Sequence, residues 1–339
     1  MAGARQSRAA HRRERDARES LTQERITLIS IGVLLAVAII AGFGFVWAVV
    51  LPPRQHVVTV GNQSFNAGAV EQRALFLLSG STSQVAPDDP IQAGIDEIKN
   101  TETLLQAGAG EAGDISADDL TKGIRKRIGV ADDASAEAYA TAYASFLKGA
   151  PLDKATFERM VRGQIISDRL ADKFGKTAGD FGLQFHVWGV ASADQGKLKQ
   201  FRDAVAGGAD FQQTAVAMGL ATLDRPADLG WLLPPVSGFL HDTAKIQDMR
   251  AGDMTDVISP NGGVGFLVYR VSEREERRAY TDTQKTSLGQ RQVEAWVKQQ
   301  QADGKVPVTE DLSKSEKDWI TKTLAKDSAR LLRQQSGGR

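Results

Sequence analysis

The sequence predicts an α+β protein that begins with an N-terminal transmembrane helix, continues as a mostly α-helical region, passes through a small α+β domain and ends in further helices. Three observations predict this. From Ile26 to Leu51 about 26 residues pass without a charge, enough for a helix to span a hydrocarbon core with some tilt. Between Val70 and Phe174 apolar residues recur at helical spacing. At Leu183 the period changes: Leu183, Phe185 and Val187 alternate with Gln184, His186 and Trp188, as in a half-buried strand.

The apolar run sets the compartment of everything after it. The tail before it, residues 1–25, carries Arg5, Arg8, Arg12, Arg13, Arg15, Arg18 and Arg25 against Glu14, Asp16, Glu19 and Glu24. Positive flanks stay cytoplasmic, so the tail is expected inside and the body outside the cell membrane. Trp47 suits an interfacial anchor near the far end. A cleaved signal peptide would have a shorter apolar core and a small-residue cleavage site; this run is longer, and Val49-Val50-Leu51-Pro52-Pro53 offers no such site. The expectation is an uncleaved single-pass anchor over residues 26–51. Small residues at Gly32, Ala38 and Gly42 could support helix pairing, and with it a homodimer.

Composition removes several classes of function. The chain has 339 residues, with 42 Lys plus Arg and 42 Asp plus Glu. No basic patch with interleaved aromatics appears, so nucleic acid is not an expected partner. Without cysteine there are no disulfides, thiolate metal sites or cysteine nucleophiles. His11, His56, His186 and His241 form no H-x-x-x-H pair, so no metal is expected. No cofactor is expected either.

The elements follow in order. Val57-Val58-Thr59-Val60, Gly61-Asn62 and Ser64-Phe65 read as a short strand, a turn and a return. Val70, Ala74, Leu77 and Leu78 mark a first helix, and a second covers Ile91 to Gln106 after a polar loop. Gly108-Ala109-Gly110-Glu111-Ala112-Gly113 fits a dinucleotide fingerprint, but a helical segment precedes it where the motif needs a strand. Helices are predicted over Ala117–Ile128, Ser135–Leu147 and Asp153–Phe174. The last shows Phe157, Val161, Ile165, Leu170 and Phe174 on one face, Asp153 as cap and Gly175 as stop. After the strand at Leu183 come a helix with Leu198, Phe201 and Val205, stopped at Gly207-Gly208, and a short helix from Phe211 to Met218. Asp228-Leu229-Gly230-Trp231 reads as a loop, Asp242–Met249 as a short helix, and Met254–Ile258 and Val264–Val271 as strands. Helices over Thr281–Gln301 and Lys314–Leu332 close the chain; the second carries an apolar stripe of Ile320, Leu324 and Leu331 that needs a surface to bury it.

Several of these stretches carry a family resemblance. A strand bearing a histidine (Gln184-Phe185-His186-Val187), an alanine-rich helix ending in Gly208-Ala209-Asp210-Phe211, then Asp228-Leu229-Gly230-Trp231, the turn Ala251-Gly252-Asp253 and a closing Gly265-Phe266 strand resemble, in order and spacing, the parvulin-type (PpiC-like) peptidyl-prolyl isomerases. The region from Val57 to Phe174, opening with Val60-Gly61-Asn62-Gln63-Ser64-Phe65, is similar to the N-terminal module of SurA-type and PpiD-type chaperones, and the helix through Trp296 to the segment that returns to that module. The resemblance implies a SurA-like helical module over 52–179, an inserted parvulin-like domain over 180–275, and C-terminal helices over 276–339 that return to the module.

It also implies roles. His186 matches the first catalytic histidine of the family. The second histidine position is Leu267, and the cysteine or aspartate position falls near Ala221. Phe239 matches the aromatic floor of the proline pocket, with Val236, Met218, Leu267 and Trp231 as the other substrate-binding candidates. The bland reading of His186 is a core imidazole held by a backbone carbonyl. Parvulin chemistry needs no cofactor; it lowers a barrier of roughly 18–20 kcal/mol to rotation about the prolyl bond. The expected function is a membrane-anchored extracytoplasmic chaperone or foldase for unfolded or newly exported polypeptides, with a degenerate parvulin-like domain. The alternatives are an active prolyl isomerase and a membrane-anchored scaffold for one dedicated partner. An apolar groove for clients would be walled by residues among Val70, Leu77, Phe157, Val161 and Ile165. Protease added to spheroplasts should digest the body and spare the tail; a mature N-terminus beyond Leu51 would refute the anchor.

Overall fold

The computed structural model of the chain describes residues 54–79, 89–234, 245–259 and 265–336. The expected membrane helix and basic tail lie outside these residues. Among the described residues no helix is long and apolar enough to cross a membrane.

In chain order the elements are β1 (His56–Val60), β2 (Gln63–Asn66), α1 (Ala67–Ser79) and α2 (Pro90–Thr103), which runs through a π-helical turn, Leu104–Gly108, into α3 (Ala109–Ala112). Then come α4 (Ala117–Ile128), α5 (Ala136–Gly149), α6 (Lys154–Thr177), β3 (Phe181–Ser192), α7 (Gln195–Ala206), α8 (Phe211–Ala217) and β4 (Asp228–Leu232). A 3-10 turn at Ile246–Asp248, β5 (Phe266–Ala279), α9 (Asp282–Ala302), β6 (Val308–Glu310) and α10 (Lys314–Ser336) complete the order. The result is a mixed α+β chain with two three-stranded sheets. It divides into two compact units: Met1–Ser167 with Trp296–Arg339, and Asp168–Ala295. The first is therefore discontinuous in sequence, and the division runs within α6 and α9.

The first unit is closed by the far end of the chain. β1 is the central strand of a sheet ordered β2-β1-β6, antiparallel throughout, with Val58 opposite Glu310 and Val60 opposite Val308. Gly61 turns β1 into β2 at φ +57°, the conformation a two-residue hairpin loop demands. A β-carbon there would also strike the Gln106 side chain, whose amide donates to the Val60 carbonyl at 2.9 Å. Val57, Val58, Val60, Val70, Ala74, Ile91, Ile95 and Ile98 join Ile320 and Leu324 of α10 in one buried core. Each valine, isoleucine or leucine so buried contributes roughly 1.5–3 kcal/mol relative to exposure. The surface required by the apolar stripe of α10 is therefore α1. A second core joins Phe76, Leu120, Ile124, Leu152, Phe157 and Val161.

Capping follows the sequence signals. Asp89 caps α2 ahead of Pro90. Ser116 and Asp119 form a reciprocal capping box on α4, and Gly129 ends that helix in the left-handed region. Asp153 accepts the Thr156 amide at the head of α6. Gly175 does not stop α6 as its position implies; the helix runs on to Thr177. Gly175 instead admits close approach, since a β-carbon there would lie 2.6 Å from the Lys285 carbonyl oxygen of α9. The Gly108–Gly113 run continues a helix and follows no strand, so the fingerprint geometry is absent from it.

In the second unit β3 is central, ordered β4-β3-β5 and antiparallel to both neighbours. Three sequence expectations are corrected here. Asp228–Leu232 is an edge strand, not a loop: pairing to β3 overrides its turn-like composition. Met254 and Ile258 make only isolated bridges to β5, because Thr255 itself occupies Tyr269, its amide donating to the Tyr269 carbonyl and its hydroxyl accepting the Tyr269 amide. β5 extends to Ala279, through the charged run Ser272–Arg278. Two arginines of that run lie over aromatic rings of β3, Arg274 over Phe185 and Arg277 over Phe181, which lets a charged segment behave as a strand. Part of the expected Asp242–Met249 helix lies outside the described residues; the rest is the 3-10 turn.

Candidate functional site

β3 gives the second unit two chemically different faces. Phe185 and Val187 point to one face, with Tyr269 and Val271 of β5 and Ile246; Leu229, Leu232, Met249, Ile258 and Leu267 pack against them. The polar atom of this wall is the Tyr269 phenol, pushed above its ordinary range by burial. The even-numbered positions Gln184, His186, Trp188 and Val190 serve the other face. Toward the Ser192 end, Val190 and Val268 meet Leu198, Phe201 and Val205 of α7 and Phe211 and Ala215 of α8.

Toward the Phe181 end the second face is polar and centred on His186. A bulge between His186 and Val187 shifts the register against β5, so that Glu273 stands opposite His186 and Val271 opposite Val187. The extra residue, Ser272, is thereby brought to the imidazole: its Oγ lies 2.9 Å from Nδ1. On the other side Nε2 lies 2.9 Å from Asp228 Oδ1, which also accepts the Gly230 amide at 2.7 Å. A carboxylate only accepts, so Nε2 donates to Asp228, while Nδ1 faces the Ser272 hydroxyl and, at 3.7 Å, Glu273 Oε1. The Trp188 indole N–H donates to Ser272 Oγ at 3.1 Å, and that hydroxyl is also 3.1 Å from the His186 carbonyl oxygen. Trp231 stacks on the imidazole, 5.1 Å between centroids and 15° apart, and the Arg278 guanidinium covers Trp231 at 3.8 Å.

Asp228, His186 and Ser272 are the residue types of a hydrolytic triad, at hydrogen-bond distances. The surroundings make them a clasp instead. A nucleophilic hydroxyl needs a free lone pair and a proton committed to the base. Ser272 Oγ receives the Trp188 N–H and has a backbone carbonyl competing for its proton, while the imidazole is covered by Trp231. Beside the clasp the buried Gln184 amide is fully used: it donates to the Arg278 and Ala279 carbonyls and accepts from Gln284 at 2.8 Å. Gln284 also donates to the Trp231 carbonyl, so these contacts join β3, β4, β5 and the start of α9.

Of the residues singled out in the sequence, the structure brings together His186 and Trp231. Met218 and Ala221 pack at the edge of the α7–α8 core. Leu267 belongs to the apolar wall on the opposite face from His186, where its β3 companions are Phe185 and Val187. Phe239 and Val236 lie outside the described residues. Of the clasp partners, Asp228 and Gln184 stand within the quoted motifs but with no role assigned by them, whereas Ser272, Gln284 and Arg278 escape a reading of motifs.

No family model matches the chain, and no curated protein matches it. Similar solved structures include a peptidyl-prolyl isomerase, PrsA, from Bacillus anthracis, with 16% identity over 67% of this chain and 96% of that one, TM-score 0.33. The foldase protein PrsA from Streptococcus pneumoniae has 13% identity over 77% and 96%, TM-score 0.34. A SurA-like chaperone structure from Campylobacter jejuni has 11% identity over 76% and 99%, TM-score 0.22. Scores this low leave the functional reading to rest on the chain's own residues.

The clasp has a measurable weight. His186→Ala should destabilise the chain by about 1–3 kcal/mol, since it leaves Asp228 and Ser272 short of a partner. His186→Phe, which keeps the stack on Trp231, should recover part of the loss. Denaturant unfolding checks both, and an Ala variant as stable as the parent would show that the clasp holds nothing.

Proposed function

We propose that this chain is a membrane-anchored extracytoplasmic chaperone or foldase whose parvulin-like domain has lost its isomerase chemistry. The observation that carries the second half is the separation of His186 from Leu267 by the thickness of a sheet. Stabilising a twisted prolyl amide takes polar groups converging on one apolar pocket. The wall bearing Leu267 is lined by Phe185, Val187, Leu229, Tyr269 and Val271, and the imidazole is engaged elsewhere. Phe185, Val187, Tyr269 and Val271 are themselves buried in that core, which leaves only half-buried members such as Leu229 and Leu267 to meet an apolar or prolyl segment.

The first half rests on the motif resemblance and on the distribution of apolar surface in the first unit. Among the groove candidates, Val70, Phe157 and Val161 are consumed by the cores. Leu77 and Ile165 are half-buried. α5 adds Tyr139, Tyr143 and Phe146, packed on Phe76 and Phe157 yet none of them fully buried. An unfolded client gains roughly 25 cal/mol per Å² of apolar area buried, before ordering costs, and half-buried aromatics offer such area with little side-chain entropy to lose. The proposed partners are unfolded or newly exported polypeptides, met on the outer side of a membrane that the chain crosses once, with pairing of two anchors as a further proposal.

Two measurements test this. Excising about residues 180–275 with a short linker should leave suppression of aggregation of several unrelated clients largely intact; total loss in a folded deletion protein would move client binding to the second unit, and activity toward one client alone would favour a scaffold. Prolyl isomerisation by the full chain should be weak or absent. A catalytic efficiency in the range of active parvulins would overturn the degenerate reading.

A further inference from the structure

The C-terminal helix α10 lies along α1, with Ile320 and Leu324 buried in the core they share. One residue of α1 does not suit that interface. Glu71 is 7% exposed, and its Oε1 has no hydrogen-bond partner among the described residues. On α10, Asp327 stands one turn beyond the buried Leu324, and its negative charge acts on Glu71. Among the described residues neither Glu71 nor Asp327 forms an ion pair. Arg73, two residues along α1, is turned to Glu97 of α2 at 3.3 Å. On α2, Lys99 is engaged with Asp96 and Glu310. On α10, Lys317 reaches Asp89, and Glu316 accepts the Ser313 amide at the helix start. β2, which also packs on α1, carries no charged residue.

A buried carboxylate without a partner, beside a second one, disfavours the interface that buries it. A carboxylic acid in the same place is neutral and supplies a proton that a neighbouring carboxylate can accept. We propose that the Glu71–Asp327 pair makes α10 a pH-dependent strap on α1, docked while a proton sits between the two helices and loosened when that proton leaves. Burial first, and Asp327 second, raise Glu71 to about 7 from an ordinary 4.5. The raised value fixes the sign. Docking holds the proton more tightly than the undocked chain does, so its stabilisation is complete below about 4.5, declines as pH rises, and is lost once pH passes about 7. The equilibrium between docked and undocked helix should change on the order of a hundredfold across that window.

Hydrogen exchange on the full chain in detergent micelles tests the strap. After correction for intrinsic rates, peptides from residues 314–336 should lose protection by tenfold or more between about pH 5 and about pH 8, while peptides from α7 do not. Glu71→Gln, neutral and nearly isosteric, should hold 314–336 protected and flat across the range. Asp327→Asn should move the loss to lower pH, because removing the neighbouring charge eases ionisation of Glu71. Equal protection of wild-type α10 at both ends of the range would overturn the proposal. So would a Glu71→Gln variant whose α10 still loosens as the wild type does. Should the Gln variant not fold, the wild-type profile and the Asp327→Asn shift decide alone.

Discussion

The two-residue period of β3 governs the second unit. A strand sends neighbouring side chains to opposite faces, so Phe185 and Val187 commit one face to an apolar wall and Gln184, His186 and Trp188 commit the other. A register slip of a single residue would exchange the two sets. The bulge opposite Ser272 works within this constraint. It adds a residue to β5 and gives the imidazole a partner it would otherwise lack, while Val187 and Val271 keep their places in the wall. The clasp on His186 and the apolar wall bearing Phe185 and Val187 thus lie back to back, and no side-chain rotation can merge them.

The first unit depends on closure by distant chain. β6 completes the sheet on β1, and α10 completes the core on α1, although the whole second unit intervenes in sequence. Such non-local pairing meets its loop-closure cost before contacts compensate it, so the first unit cannot finish folding until its last residues are present. Buried charge adds specificity to the arrangement. Glu102, fully buried, is gripped by Arg159 of α6 through two donors, and Arg73 pairs with Glu97, which also accepts the Thr101 hydroxyl. Removing one member of a buried pair costs about 3–5 kcal/mol, whereas forming the pair stabilises little. These bridges therefore select one packing of α1, α2 and α6 more than they strengthen it.

Where an element's determinants are local, the sequence made it legible. α4 carries its capping box, its apolar stripe and its terminal glycine within fourteen residues, Ser116 to Gly129, and the helices at 195–206 and 211–217 carry Asp194 and Asp210 as caps. β4 reads as a loop because Asp228 and Gly230 break its apolar run; only its partner strand makes it extended. The arm of β5 reads as a solvated loop in sequence because of its charges, until Phe181, Phe185 and Trp231 are set beneath its arginines. The clasp on His186 is least legible, since Ser272 is 86 residues away and joins it through a bulge that no pattern in β3 announces. Matching His186 and Leu267 to one site was reasonable by motif, and the face each side chain takes is what motif spacing does not specify.

A protein that holds unfolded chains meets a conflict between its own stability and its availability. Apolar residues fully committed to a core, such as Val70 or Phe157, cannot also meet a client without unfolding the core. Residues on exposed positions bind weakly because they exclude little water. The useful class lies between them, and α5 consists largely of it: Tyr139 stacked on Tyr143, Tyr143 and Phe146 set against Phe157, and no residue of the helix fully buried. Its attachment is correspondingly slight. Beyond the aromatic contacts, Leu147 packs on the same core and the Tyr143 hydroxyl donates to Glu158, while the Arg125 guanidinium holds the carbonyls of Ala131 and Ala134 just ahead of the helix and lies over the Tyr139 ring. Elements with few buried contacts are those that open first. Under the proposed chaperone function, α5 would exchange its own aromatic contacts for those of a client at small net cost, which is the exchange a chaperone surface requires and a catalytic pocket does not.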